Sequence, residues 1–163
     1  MDRRKKTTIE RGKFKEQIHA ALYASADIKK LLLGDTQGMS AAQIQAAFKE
    51  HVKSHLFIDD TIEATESFIF YDVVFPRLAP NIKSCRVLMY VICHRDILDN
   101  YYAEGYNGNR ADILSQMVEN ALINDEAVVN SFGIGELSLD SVEIYNSMRF
   151  YGSILYFDVP NFR

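Results

Sequence analysis

The sequence predicts an α+β fold: a mainly antiparallel four-stranded sheet with helices packed on one face, and N-terminal helices preceding it. Three observations lead there. Two stretches rich in β-formers, residues 67–75 (SFIFYDVVF) and 84–94 (SCRVLMYVICH), follow one another across a short proline-containing connection. Two more, residues 136–145 and 149–159, close the chain as a hairpin around Asn146, Ser147 and Met148. Helical periodicity fills the chain before the first pair and between the pairs, and strands joined by short connections pair antiparallel.

At 163 residues the chain is one domain, 1–163, able to bury roughly two-thirds of its unfolded surface. Hydrophobic residues at 48% and charged residues at 25% are ordinary globular values, which excludes a disordered or fibrous chain. No apolar run approaches the ~20 residues that cross a bilayer, and no apolar segment follows the basic N-terminus as in a secretory signal.

The net charge of −4 is unevenly spread. The first 15 residues hold seven basic groups, including Arg3, Arg4, Lys5 and Lys6, against Asp2 and Glu10; the other 148 hold 11 basic and 20 acidic groups. Residues 1–8 read as a flexible basic arm on an acidic body, suited to docking on an acidic neighbouring subunit or to contact with nucleic acid.

Thr7 and Glu10 form a capping box, and Phe14, Ile18, Ala21 and Leu22 recur behind it at helical spacing. A shorter helical turn through Ile28, Leu31 and Leu33 is closed by Gly34. Ser40 and Gln43 form a second capping box, opening a helix with Ile44, Ala47, Phe48 and Val52 on one face. His51 and His55 sit four apart on it, a zinc-compatible spacing, but no third ligand or HExxH pattern joins them, so two solvated histidines are expected. Asp59, Asp60, Glu63 and Glu66 lack the glycine turn and ligand spacing of a cation loop and read as an exposed acidic segment.

The strand over 67–75 is apolar on both sides. Ile69, Tyr71, Val73 and Phe75 share one face; Phe68, Phe70, Asp72 and Val74 share the other. Pro76 and Pro80 end it, because proline cannot donate to a ladder. Residues 84–94 form the central strand. Cys85, Val87, Met89, Val91 and Cys93 make a core face that should pack on the helix starting at Arg110. Arg86, Leu88, Tyr90, Ile92 and His94 make a face polar at both ends, as expected where another subunit meets it. The two cysteines lie about 26 Å apart along such a strand and cannot pair, leaving two buried free thiols and a reducing compartment.

His94, Asp96 and Asp99 suit either a metal or acid–base cluster or a strand end with capping acids. The tyrosine-rich loop 99–109 ends at Asn109, which caps a helix over residues 110 to about 124 with Leu114, Met117, Val118, Ala121 and Leu122 as its apolar stripe. Gly133 and Gly135 make no phosphate loop, since Ser138 stands where a third glycine belongs and no helix follows. Gly152 marks a bulge or a close backbone approach in the last strand.

Three segments together, VICHRDIL (91–98), GNRADILSQMV (108–118) and FGIGELSLDSVEIYNSMRFYGSILYFDVPNF (132–162), resemble small structural proteins of tailed phages, of the tail-terminator or tail-completion kind found at the head–tail junction. The resemblance covers roughly the C-terminal 75 residues well and the N-terminal half in outline. It implies a virion component made in the host cytoplasm, without catalytic residues, metal or cofactor. It further implies a homo-oligomeric ring, often six-fold, that caps the tail tube and joins it to neck proteins while DNA passes unbound through the lumen. An acidic body suits such a lumen, because it repels phosphates. On this reading Arg86, Tyr90, His94, Arg3, Arg4, Lys5 and Lys6 are candidate subunit-interface residues. A second class of function is a metal-dependent nuclease or related DNA-processing enzyme using Asp59, Asp60, Asp72, His94 or Asp96.

Overall fold

The computed structural model describes residues 3–56, 61–78, 83–123 and 137–159, with the side chains of 3–7, 77 and 83 left out of account. Four helices, α1 (Arg3–Ala24), α2 (Ala26–Leu33), α3 (Ala41–His51) and α4 (Arg110–Ile123), accompany five strands. These are β1 (Val52–Lys53), β2 (Ser67–Leu78), β3 (Lys83–His94), β4 (Ser138–Asn146) and β5 (Phe150–Val159). The sheet order is β1-β2-β3-β5-β4, antiparallel throughout except for the β1–β2 pair. The expected four strands are therefore present with β3 at the centre, and a two-residue parallel strand is added at one edge.

Caps explain where the helices begin and end. The Ser25 hydroxyl accepts from the Ile28 amide at 3.2 Å, and Gly34, at φ +70°, donates its N–H to the Lys30 carbonyl. Ser40 and Gln43 satisfy each other reciprocally: Gln43 N donates to Ser40 Oγ at 3.2 Å and Ser40 N donates to Gln43 Oε1 at 2.9 Å. Asn109 and Asp112 repeat this at α4, with both bonds 3.0 Å long. The Thr7–Glu10 box does not open α1, which starts at Arg3, so residues 3–8 of the expected arm are helical in backbone.

One core lies between the helices and one face of the sheet. Phe14, Ile18, Leu22, Ile28, Leu31, Phe48 and the α4 residues Leu114, Met117 and Val118 meet Cys85, Val87, Met89, Val91 and Cys93 of β3 there. Ile69, Tyr71 and Val73 of β2 and Leu155, Phe157 and Val159 of β5 complete it. Each such large side chain contributes roughly 1.5–3 kcal/mol of burial. The cysteine-bearing face of β3 thus packs on α4 as its alternation predicts, and both thiols are free and buried.

Two further expectations fail for identifiable reasons. Pro76 does not end β2, which continues to Leu78 with a register shift between Val74 and Arg77. The β1 pairing covers only Ile69 and Phe70, so the proline sits in an irregular stretch where its missing N–H leaves no gap in a ladder. His51 is not a solvated partner of His55. It ends α3, is 8% exposed, and stacks on Phe68 at 5.5 Å between centroids, whereas His55 lies past β1 and is exposed. No helix among the described residues is long and apolar enough to cross a membrane.

Candidate assembly surface

Strand alternation sends half of every strand away from the helices. On that second face the pairing register lines up Phe70, Tyr90, Ile154 and Glu143 in one row, and Phe68, Ile92, Gly152 and Tyr145 in the next. Phe68, Phe70, Ile92 and Phe150 form a buried cluster of their own, with Tyr90, Tyr145 and Ile62 partly buried against it. Aromatic contacts knit it: Phe68 meets Phe70 at 5.7 Å and Phe150 at 6.0 Å, and the Tyr90 and Tyr145 rings meet edge-on at 5.8 Å. The helices bury their apolar residues in the other cluster, so this face is a thin aromatic layer with Leu88, Ile154 and Tyr156 half exposed beside it.

Gly152 makes the layer possible. A Cβ there would collide with the Val91 carbonyl oxygen and lie 2.8 Å from the Ile92 Cα. The sequence offered a bulge or a close approach at this position; close approach is what the structure has, the bulge lying instead between Leu139 and Ser141.

Three of the predicted interface residues share this face. Arg86 binds Asp158 through two hydrogen bonds, Nε to Oδ1 at 2.8 Å and Nη2 to Oδ2 at 3.1 Å, with Asp140 at 3.6 Å and the Tyr156 ring at 5.7 Å. Hydrogen bonding to Asp158, against a smaller burial effect, raises the guanidinium pKa further, so the charge is permanent. Tyr90 occupies the middle of the strand. His94 lies edge-on to Phe150 at 5.5 Å, and its Nδ1 accepts from the Asp96 amide at 3.1 Å. That nitrogen therefore presents its lone pair to the amide, and the Asp96 carboxylate 3.7 Å away is a neighbour rather than an ion-pair partner in this arrangement.

The other four, Arg3, Arg4, Lys5 and Lys6, open α1, which packs with the helical layer. Arg11 and Lys15 of the same helix fasten it to the β2 side of the sheet. Both reach Asp72 Oδ1, at 2.7 and 2.8 Å, and the Tyr71 hydroxyl donates to the Lys15 carbonyl at 2.8 Å.

The acids of a nuclease site do not converge. Asp59 and Asp60 fall outside the described residues. Asp72 is engaged by Arg11 and Lys15, and Asp96 lies within the 3-10 turn (Arg95–Ile97) that His94 caps. Among the described residues no group of three or more His, Cys, Asp or Glu side chains is placed to hold a metal ion.

Sequence reasoning missed the exposure of β4. Val142 is 55% exposed and Ile144 71%, yet their alternating apolar character reads as a buried face. Only strand order reveals that β4 is an edge, paired with β5 on one side.

Comparison with known proteins returns no match among curated proteins and none among solved structures. A family model, that of YomW, matches residues 25–159, from the cap of α2 to the end of β5. The family is phage-related. Four-fifths of the chain, including all five strands and three of the four helices, lies within that match, and the chain belongs to the YomW family.

Proposed function

We propose that this chain is a structural subunit of a phage particle, without enzymatic activity, that assembles into a ring at the head–tail junction, capping the tail tube and joining it to the neck. The observation that carries the reading is the sheet face opposite the helices, which no helix among the described residues covers and on which Leu88, Tyr90, Ile154 and Tyr156 stay half exposed. A chain of this size covers such a face by meeting another chain, and apolar surface rimmed by charges such as Arg86 and Asp158 is what subunit contacts use. The phage-related family and the resemblance of residues 91–98, 108–118 and 132–162 to tail-terminator proteins support the same direction. The acidic surplus of residues 16–163 suits a lumen through which DNA moves without sticking.

Light scattering on the purified protein across a concentration series, followed by negative-stain microscopy, tests the proposal. A discrete oligomer and ring-shaped particles are expected. A monomer at every concentration, or Mg²⁺- or Mn²⁺-dependent DNA cleavage lost on Asp96→Ala, would overturn it.

A further inference from the structure

We infer that copies of this chain join head to tail, the N-terminal turns of α1 in one copy seating on the β4 edge strand of the next. The inference rests on the ring reading above and names the two surfaces that close the ring.

The donor is a helix that starts well before its own core. Residues 3–6 are four consecutive cations in the first turns of α1, and among the described side chains, from Thr8 onward, the first buried one is Phe14. Of residues 8–13 none is buried, and Ile9 is 56% exposed. From Arg3 to Phe14 the helix runs about 16 Å.

The acceptor is an edge strand exposed along most of its length. β4 pairs with β5 on one side, and Val142 and Ile144 stand in solvent. Near it Asp140 and Asp158 share the cation Arg86, which Asp158 already binds through two hydrogen bonds. Glu143 accepts from the Tyr156 hydroxyl, a neutral partner. The edge strand thus offers negative charge on one of its faces and apolar surface on the other, and the N-terminal turns of α1 carry four cations in the sequence ahead of the exposed Ile9.

Position in the sheet says that the two meet between copies. Arg11 and Lys15 pin α1 at β2 through Asp72. β4 is the opposite edge, beyond β3 and β5, so roughly 14 Å of sheet separates it from β2 at the usual strand spacing. Neither surface complements itself, because a two-fold contact would oppose cations to cations or acids to acids. A contact between unlike surfaces is heterologous, and heterologous contacts close into rings when the rotation permits.

Light scattering with gel filtration on the full chain tests this, using Arg3→Gln/Arg4→Gln/Lys5→Gln/Lys6→Gln to neutralise the donor and Asp140→Lys/Glu143→Lys to reverse the acceptor, with circular dichroism and a melt to confirm folding. The wild type is expected as an oligomer and each variant as a monomer. An equimolar mixture of the two variants keeps one live donor and one live acceptor, so it should yield a 1:1 dimer and nothing larger. If the acceptor variant does not fold, the donor variant decides alone, its own melt serving as the control. Variants that keep the wild-type oligomer, or a mixture that exceeds a dimer, overturn this inference and leave the ring reading standing. A monomeric wild type removes both.

Discussion

The Nδ1 of His51 donates to the Ser67 carbonyl oxygen across 2.8 Å, linking the last residue of α3 to the first residue of β2. A carbonyl can only accept, so the proton resides on Nδ1. The bond and the Phe68 stack secure the point where a helix turns directly into β1 with no loop between them. His51→Ala removes both and leaves a buried acceptor unpaired. The expected cost is about 2–3 kcal/mol, read from urea denaturation midpoints.

Gly152→Ala tests the close approach of β5 to β3. The added methyl meets backbone rather than a flexible side-chain end, so relief requires the strands to part. Overpacking of this kind costs about 3 kcal/mol, or roughly 6–12 °C in Tm for a chain of this length, measured by calorimetry.

Asp72 gives the stability a defined acid limb. Burial pushes its carboxyl up, but hydrogen bonds from Lys15, Arg11 and the Val73 amide outweigh this and hold it below the usual 3.8. A depressed folded-state pKa adds stability that is fully present above the unfolded value and lost as pH falls through the folded one. Asp72→Asn should therefore cost about 1–2 kcal/mol at pH 7, and the gap between variant and wild type should close below pH 3.8. Paired denaturation curves from pH 7 to pH 2 check both the magnitude and the direction.

Both thiols should be silent in the native protein. Burial pushes Cys93 up to about 11, outweighing the neighbouring Ser67 hydroxyl, which acts the other way, and Cys85 is equally enclosed. Titration with a chromogenic disulfide at pH 8 should detect no thiol in the native state and two in denaturant. Rapid native labelling of either cysteine would contradict the placement of β3 at the core.

What the sequence made legible follows from the range of each signal. Alternation along residues 84–94 separates Cys85, Val87, Met89, Val91 and Cys93 from Arg86, Tyr90 and His94 without knowledge of any partner strand. Reciprocal caps such as Ser40 with Gln43 and Asn109 with Asp112 span three residues and are equally local. The burial of His51 depends on a two-residue strand too short to leave a pattern, and the survival of β2 past Pro76 depends on which side of the strand is unpaired. At the candidate surface the face could be read but its wiring could not. Arg86 finds Asp158 across 72 positions, and the exposure of Val142 and Ile144 is a property of sheet order.

The central pairing of β3 with β5 also shapes how the sheet is built in time. β2 with β3 and β4 with β5 are each neighbours in sequence and can zip locally, whereas the β3–β5 seam joins residues separated by 56 positions (His94 to Phe150) to 74 (Cys85 to Val159). Closing that loop, with α4 inside it, is the entropically demanding event, and long-range strand pairing of this kind is slow. The molecule is kinetically two hairpins awaiting one weld, and Gly152 stands on the weld line.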